Sequence, residues 1–561
     1  MTAAGGVVAA ATPPAGQTVG PLVRGLALLR TMGEPGRRRM TPGELARATG
    51  LSRATVGRLV GTLVALDHLR WDGGAVTLAP PLAALGEAYL TSAQLPRVFA
   101  PHLDALAEKL DEPVCLSVPD QDGVRIVAQA HRGRGLAATF LVGDLLPPGR
   151  SAAAPLFGPA RGAAGPRPPR VGAAAGRFGV DWAVDDQALE PGLIAVAVPV
   201  RAPDGRVCGA VTATSQTSRH SLASLCALAL PRLRETVAAG ERDHAARLAE
   251  LRAPGRTPLP PPARPDRSPS AAADGPVTAA ESVRVVKEEL GADFLQSLAR
   301  GLAVVTAFDA DHDRLTLSEV AQRTGLPRAT ARRALWTLHQ LGYVAARGRL
   351  FHLLPRLLEL GYPALRRLSL AELAQPHLAT LAERTGRTAT VWVPAGPAVP
   401  GEPASGGAAC VEEVRCVAHA AGGAGPVVPG RERRPAYATA AGRVLLAGLR
   451  PPERERVLSR VAAAAAGAGH RLGSATELDA ELRRVRREGH ARAEGDGPWD
   501  ATGALAAPVR DRAGRAVAAV HLAGPGPAGE PSPLAAVRAA ADRLGADLRA
   551  VGGVPAELAE G

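Results

Sequence analysis

The chain is poor in aromatic residues: Phe, Trp and Tyr together make up 3% of its 561 residues, and methionine occurs three times. Its cores must therefore be built from alanine, valine and leucine, which the 46% hydrophobic content supplies. Cysteine is scarce as well. The five present, Cys115, Cys208, Cys226, Cys410 and Cys416, are odd in number and scattered, which excludes a disulfide framework. No apolar run approaches the ~20 residues that span a bilayer, so no membrane partner is expected. The opening MTAAGGVVAAATPPAGQTVG lacks the basic start of a secretory signal and reads as a flexible tail on a cytoplasmic chain.

Enzyme constellations are missing too. There is no G-x-S-x-G elbow, P-loop or H-E-x-x-H. Gly524, Gly526 and Gly529 satisfy G-x-G-x-x-G, but prolines interrupt the run and no helix is expected after it. Cys410, Cys416 and His419 match no zinc spacing and lack a fourth ligand. No catalytic residue, metal site or cofactor is expected.

Acidic residues are outnumbered. Lys and Arg total 66 against 53 Asp and Glu, a net charge of +13 with a pI near 10.6. An excess of this sign suits a polyanionic partner, because neutralised phosphates release condensed counterions. Arginine is inflated here together with alanine, glycine and proline, however, so charge alone does not decide for nucleic acid.

At this length three or four domains are expected. Residues 253–277, APGRTPLPPPARPDRSPSAAADGPV, lack periodicity and read as a solvated linker between two halves. The halves resemble each other. TPGELARATGLSRATVGRLVGTLVALDHLRWDGGAVTLAP from Thr41 and TLSEVAQRTGLPRATARRALWTLHQLGYVAARGRLFHLLP from Thr316 share 16 of 40 residues at an offset of 275. RGLALL from Arg24 matches RGLAVV from Arg300 at 276, and Pro199–Val211 matches Pro508–Val520 at 309. A duplication accounts for this, with about 34 extra residues in the second half.

Each repeat predicts a helix, a tight turn and a second helix. Thr41 with Glu44, and Thr316 with Glu319, have capping-box spacing. Gly50 and Gly325 suit the left-handed residue that ends a helix. In the second helix Val56, Leu59, Val60 and Leu63 recur at helical spacing and face inward. Ser52, Arg53, Thr55 and Arg58 are left outside, as are Pro327, Arg328, Thr330, Arg332 and Arg333. Such first turns reach base edges in a major groove, so double-stranded operator DNA is the expected partner. The hairpin-like stretches Arg70–Leu78 and Ala345–Leu353 read as β-wings, with Arg70, Arg347 and Arg349 set to lie along phosphates or a minor groove. The plainer alternative is an ordinary helical pair with solvated arginines. The capping boxes, turn glycines and matched basic faces together argue against it.

GELARATGLSRATVGRLVGTL and SEVAQRTGLPRATARRALWTLHQLGYV resemble the DNA-binding domain of IclR-type transcriptional regulators. FLQSLARGLAVVTAFD, LLPRLLELGYPALRRLSLAELAQPHLATLAERTG and RRPAYATAAGRVLLAGL are similar to the subgroup controlling aromatic-acid catabolism, the β-ketoadipate-pathway or Pca-type regulators. The resemblance implies an α+β chain with two winged helix-turn-helix domains, each followed by a GAF-like α/β effector-binding domain, the first shortened. The expected divisions are a tail at 1–19, winged helices at 20–82 and 290–356, effector domains at 88–240 and 365–553, and a linker at 241–285. A usual member carries one such unit, so the fused pair departs from the pattern. One chain then imitates a dimer on DNA, with half-sites about one turn or a multiple apart. A second copy of the chain is a further partner.

The late strands, IAVAVPV–DGRVCGAVTAT and ALAAPVR–AGRAVAAVHLAG, are expected to pair at a sheet edge. The resemblance further implies a small carboxylate-bearing metabolite, an aromatic or keto acid, beside the second sheet. Tyr437, Ala438, Thr439, Ala440, Ala441 and Gly442 would present backbone N–H groups at a helix N-terminus, which favours an anion. Asp496, Trp499 and His521 are placed near the pocket by the same resemblance. For each, an ordinary loop or strand residue is the competing reading, and Arg434 sits in an arginine run better read as solvated. In the first half the matching segment is RSAAAPLF at Arg150–Phe157, and a helix matching Thr476–Arg487 is missing. That half is expected to serve structure, leaving control to the second. Two further function classes stay open: an architectural DNA-binding protein without a ligand site, and a metabolite enzyme with a DNA-binding appendage.

Overall fold

The computed structural model describes residues 18–131, 140–157, 181–252, 281, 283–284, 287–288, 291–395, 413–422, 433–451, 453–455, 457–458, 460, 474–493, 503–523 and 533–552. They form two units, residues 1–365 and 366–561. Residues 1–17 of the expected tail, the core of the expected linker, Cys410, Asp496, Trp499 and the glycines at 524–529 lie outside the described residues. The architecture is α+β, as expected.

In the first unit, α1 (Gly20–Gly33), α2 (Pro42–Thr49) and α3 (Arg53–Ala65) precede a hairpin of β2 (Leu69–Asp72) and β3 (Ala75–Leu78). A short strand, β1 (Arg39–Met40), joins β3 on its other side. This head closes over Leu26, Leu29, Leu45, Val56, Leu59 and Leu63, all at most 1% exposed. Next come α4 (Ala84–Ser92) and α5 (Gln94–Leu110). They lead into a six-stranded antiparallel sheet of β4 (Val114–Asp120), β5 (Gly123–Ala130), β6 (Leu145–Leu146), β7 (Ala183–Asp186), β8 (Leu193–Arg201) and β9 (Val207–Gln216), in the order β6-β5-β4-β9-β8-β7. The β8–β9 hairpin was expected at an edge but lies inside the sheet, because β7 adds beyond it. Helix α6 (Leu222–Arg252) returns along the sheet. It continues past residue 240, where a linker was expected, because GERDHAARLAELR is made largely of helix formers and buries His244.

A second head follows in the same unit: α7 (Gln296–Val305), β10 (Leu315–Thr316), α8 (Leu317–Thr324), α9 (Arg328–Gln340), β11 (Val344–Arg347) and β12 (Leu350–Leu353). Its pairing, β10-β12-β11, repeats β1-β3-β2.

The second unit begins with α10 (Leu370–Thr385) and carries β13 (Thr388–Pro394), β14 (Glu413–Ala420), β15 (Arg433–Pro435), α11 (Ala440–Ala447), α12 (Ala475–Glu488), β16 (Ala491–Ala493), β17 (Ala504–Arg510), β18 (Ala516–Ala523) and α13 (Pro533–Ala550). Its sheet order, β15-β14-β13-β18-β17-β16, is that of the first sheet strand for strand. The repeats also share a clip between the helix before each six-stranded sheet and the helix after it. His102 Nε2 lies 2.8 Å from Asp243 Oδ2, and the matching His377 Nε2 lies 2.7 Å from Asp547 Oδ2.

Candidate nucleic-acid interface and effector face

Both helix-turn-helix units are built by the same local chemistry. Thr41 Oγ1 accepts from Glu44 N at 3.3 Å while Thr41 N donates to Glu44 Oε2 at 2.7 Å. Thr316 and Glu319 repeat the pair at the same two distances. Reciprocal capping satisfies two orphan N–H groups and fixes where each first helix starts. The backbone hydrogen bond from Thr41 and its hydroxyl hold the Glu44 carboxyl below its usual range. Gly50 and Gly325 then take φ of 69° and 67°, left-handed values that turn the chain into the second helix. Ser52 Oγ caps α3 through Thr55 N at 3.2 Å, whereas Pro327 at the matching place offers no side-chain cap.

The structure leaves the expected faces open. Ser52 at the N-cap of α3 and Arg53 and Arg58 on that helix are exposed, as are Arg328, Arg332 and Arg333 on α9, with Thr55 and Thr330 half-buried beside them. Arg70 is half-buried on β2; Arg347 and Arg349 are exposed at the second wing. Beside α9 opens a groove of about 810 Å³ lined by Ser297, Arg300, Arg328, Arg332 and Arg333. Arg300 is a groove residue that pattern reading missed. Its Nε is buried with no hydrogen-bond partner among the described residues, and the repeated RGLA at Arg24 and Arg300 was its signal.

The heads pack on each other, and the contacts come in exchanged pairs. Val19 N donates to Thr337 Oγ1 at 3.0 Å, and Leu295 N donates to Thr62 Oγ1 at 2.9 Å. Gly25 faces the Leu298 side chain so closely that a Cβ there would lie 2.5 Å from a methyl group; Gly301 faces Leu22 at the same 2.5 Å. Residues 19, 22, 25 and 62 correspond in the repeat to 295, 298, 301 and 337. An approximate two-fold axis therefore relates α1 to α7 and α3 to α9.

In the second unit, Thr439 is the N-cap of α11, accepting from Gly442 N at 3.0 Å. Tyr437, Thr439, Ala440, Ala441 and Gly442 are buried and Ala438 is partly so. Gly442 is needed because a Cβ there would lie 2.2 Å from Ala436 O. His521 is 3% exposed on β18, its Nδ1 3.1 Å from Thr390 Oγ1, which also accepts from Trp392 Nε1 at 2.9 Å. The Trp392 and His521 rings meet edge-on at 6.3 Å. His521 pairs across with Ala506, placing it on the face that packs Trp392, Cys416 and Tyr437 beneath α11. Pattern reading also missed Arg443. Fully buried, it donates from Nε to Tyr437 O at 2.8 Å and ties α11 to the segment before it; an arginine inside AAGRVLLA was the signal. A cavity of about 150 Å³ lies at the other end of α11, lined by Gly448, Arg486, Arg510 and Arg515.

The first effector-like domain keeps the cap, and among the described residues after it there is a 3₁₀ turn in place of an α-helix. Ser151 Oγ accepts from Ala154 N at 3.2 Å, as Thr439 Oγ1 does from Gly442 N, and the described residues that follow form one 3₁₀ turn, Ala154–Phe157. Ala152, Ala153 and Leu146 pack directly on Val124, Ile126, Ala195 and Ala197. Cys115 and Thr212 stand where Thr390 and His521 stand in the second sheet. Among the described residues no group of His, Cys, Asp or Glu could hold a metal ion, and no helix is long and apolar enough to cross a membrane.

The IclR helix-turn-helix model matches residues 21–73 and 297–348, and the IclR C-terminal model of bacterial transcriptional regulators matches 430–544. The Pca regulon regulatory protein of Pseudomonas putida is 34% identical over 263 residues, covering 47% of this chain and 84% of that protein. The p-hydroxybenzoate hydroxylase transcriptional activator of Acinetobacter baylyi is 39% identical over 101 residues, 18% of this chain and 37% of the activator. The solved IclR regulator of Alicyclobacillus acidocaldarius is 20% identical and superposes with a TM-score of 0.35 over 40% of this chain and 99% of its own. Twice-matched reading heads and a relative aligned over most of its length place the chain in the IclR family of transcriptional regulators.

Proposed function

We propose that one copy of this chain grips a single operator with both heads and answers to a small aromatic carboxylate held by its second effector domain. The observation that supports this most directly is the exchanged-pair packing of the heads, which puts two arginine-bearing helices in one chain about an approximate two-fold. Arg53 and Arg58 of one helix and Arg328, Arg332 and Arg333 of the other face base edges, while Arg70, Arg347 and Arg349 take phosphates. A second copy builds a larger assembly on the same DNA, in the cytoplasm. The chain carries out no chemistry on its ligand.

The ligand class follows from the relatives' names together with the buried face beneath α11. Trp392 and Tyr437 offer aromatic surface; Thr390 and His521 offer polar atoms; the start of α11 offers a positive dipole end. Asp496 and Trp499 belong to the same proposed site by their place in the chain. The collapsed face of the first effector-like domain suits a structural role.

The test uses the full chain. Footprinting should show two protected stretches, with Arg53→Ala plus Arg58→Ala losing one and Arg328→Ala plus Arg333→Ala losing the other. Loss of both stretches with either pair, or of neither, refutes the two-headed grip. p-Hydroxybenzoate should raise the melting temperature through mass action, worth ~2.7 kcal/mol at a hundred-fold excess over Kd. An unmoved transition across benzoate, p-hydroxybenzoate and protocatechuate refutes the ligand class.

A further inference from the structure

The two heads are paired as equals but are not chemically equal. At matched positions on the reading helices, Gly57 stands opposite Arg332, Ser52 opposite Pro327 and Gly61 opposite Trp336. Gly57 is exposed with nothing within 4 Å of where a Cβ would stand, so the first helix presents a bare backbone where the second presents a guanidinium. Arg58 is drawn toward Asp293, with Nε 3.6 Å from Oδ1, whereas Arg328, Arg332 and Arg333 make no ion pair among the described residues.

The wings diverge in the same direction. The first carries Trp71, Asp72, Gly73 and Gly74, the second Ala346, Arg347, Gly348 and Arg349. Trp71 is 56% exposed, and Asp72 is held by Arg39, Nε to Oδ2 at 2.6 Å. From Thr41 to Pro80 four arginines stand against three carboxylates, a net +1; from Thr316 to Pro355 six stand against one, a net +5.

A dimer of identical chains must present the same helix twice, so its best operator is a palindrome. Here the two-fold packing is kept while the residues on it have drifted apart. We infer that the operator is asymmetric: two inverted half-sites of unlike sequence, the one under α9 longer in specific contacts and more strongly salt-dependent. Arg332 sets the difference in base reading, since a bidentate arginine selects guanine and a glycine selects nothing. This rests on the two-headed grip proposed above.

Selection of the full chain on duplexes with both half-sites randomised tests it. The enriched pool should contain two unlike half-sites, H1 and H2, and the H1–H2 duplex should bind at least about tenfold more tightly than H1–H1 or H2–H2 inverted repeats. Arg332→Ala, an exposed change that spares the fold, should flatten selection within H2 alone. Gly57→Arg should shift H1 toward H2. A single palindrome among the enriched sequences, or an unchanged H2 with Arg332→Ala, overturns the inference while leaving the two-headed grip intact. No enrichment at all overturns the grip itself.

Discussion

Replacing Gly301 by alanine sets two opposed effects against each other, and their balance reads the packing of the heads. A methyl group at Gly301 would lie 2.5 and 2.6 Å from the two δ-carbons of Leu22, where ~3.5–4.0 Å is comfortable. Leu22 is fully buried, so it has no solvent to swing into. Either its rotamer or the spacing of α1 and α7 must give by about 1 Å, an overpacking cost of ~1–3 kcal/mol. Against this, alanine in a helix interior is favoured over glycine by ~1 kcal/mol. Gly57 separates the two effects, because it is also helical but open around its Cβ position. Gly57→Ala should collect the propensity gain alone. Hydrogen exchange on the full chain, followed by mass spectrometry, reads local opening without assuming two-state unfolding. Peptides from α3 should exchange more slowly in Gly57→Ala, and those from α1 and α7 up to about thirtyfold faster in Gly301→Ala, the net cost being ~0–2 kcal/mol. Slower exchange in both variants would mean that the helices do not approach each other this closely.

Three further outcomes follow from the geometry. Burial pushes the Asp309 carboxyl up, but hydrogen bonds from His312 and the Asp311 amide and the charge of Arg323 outweigh it, leaving the group below its usual range. A carboxyl lowered on folding adds stability above the ordinary value of about 4 and loses it as pH falls through the folded value. The second head should therefore loosen in acid, and Asp309→Asn should remove that part of the pH dependence, as exchange on α8 peptides between pH 5 and 2.5 would reveal. His377→Ala leaves the 3%-exposed Asp547 without its imidazole and should cost on the order of 1–3 kcal/mol. His102→Ala, whose partner Asp243 is 64% exposed, should cost under ~1 kcal/mol, and equal melting shifts would count against the contrast. At Thr439, alanine should lose a cap worth ~1 kcal/mol and keep the response to aromatic acids, serine should keep both, and phenylalanine should lose the response. A normal response from Thr439→Phe, measured as the ligand-induced melting shift, moves the site elsewhere.

How much of this was legible in the chain depended on how local the cause was. Capping boxes, turn glycines and reading helices follow from contacts three or four residues apart, and the structure places them within a residue of expectation. The duplication was legible because it repeats in register; the strand order that the two sheets share was not. What escaped notice is long-range. The β8–β9 hairpin reads as an edge until β7 is known to pair outside it. The contact of Gly25 with Leu298 spans 273 residues, and no periodicity marks a glycine as an interface. A lone arginine in an apolar helix carries no local mark of burial, and the fold buries Arg443 fully.

The exchanged contacts between α1 and α7 also bear on how occupancy depends on dose. Two heads on separate chains must first find each other, so at low copy number the fraction paired falls with dilution. Heads on one chain meet at an effective concentration set by the tether, which dilution does not change. Their closure is a first-order event, and under the proposed two-headed grip free chain concentration enters operator occupancy once rather than twice. Under that grip, a cell holding a handful of copies would have the heads of each one already paired.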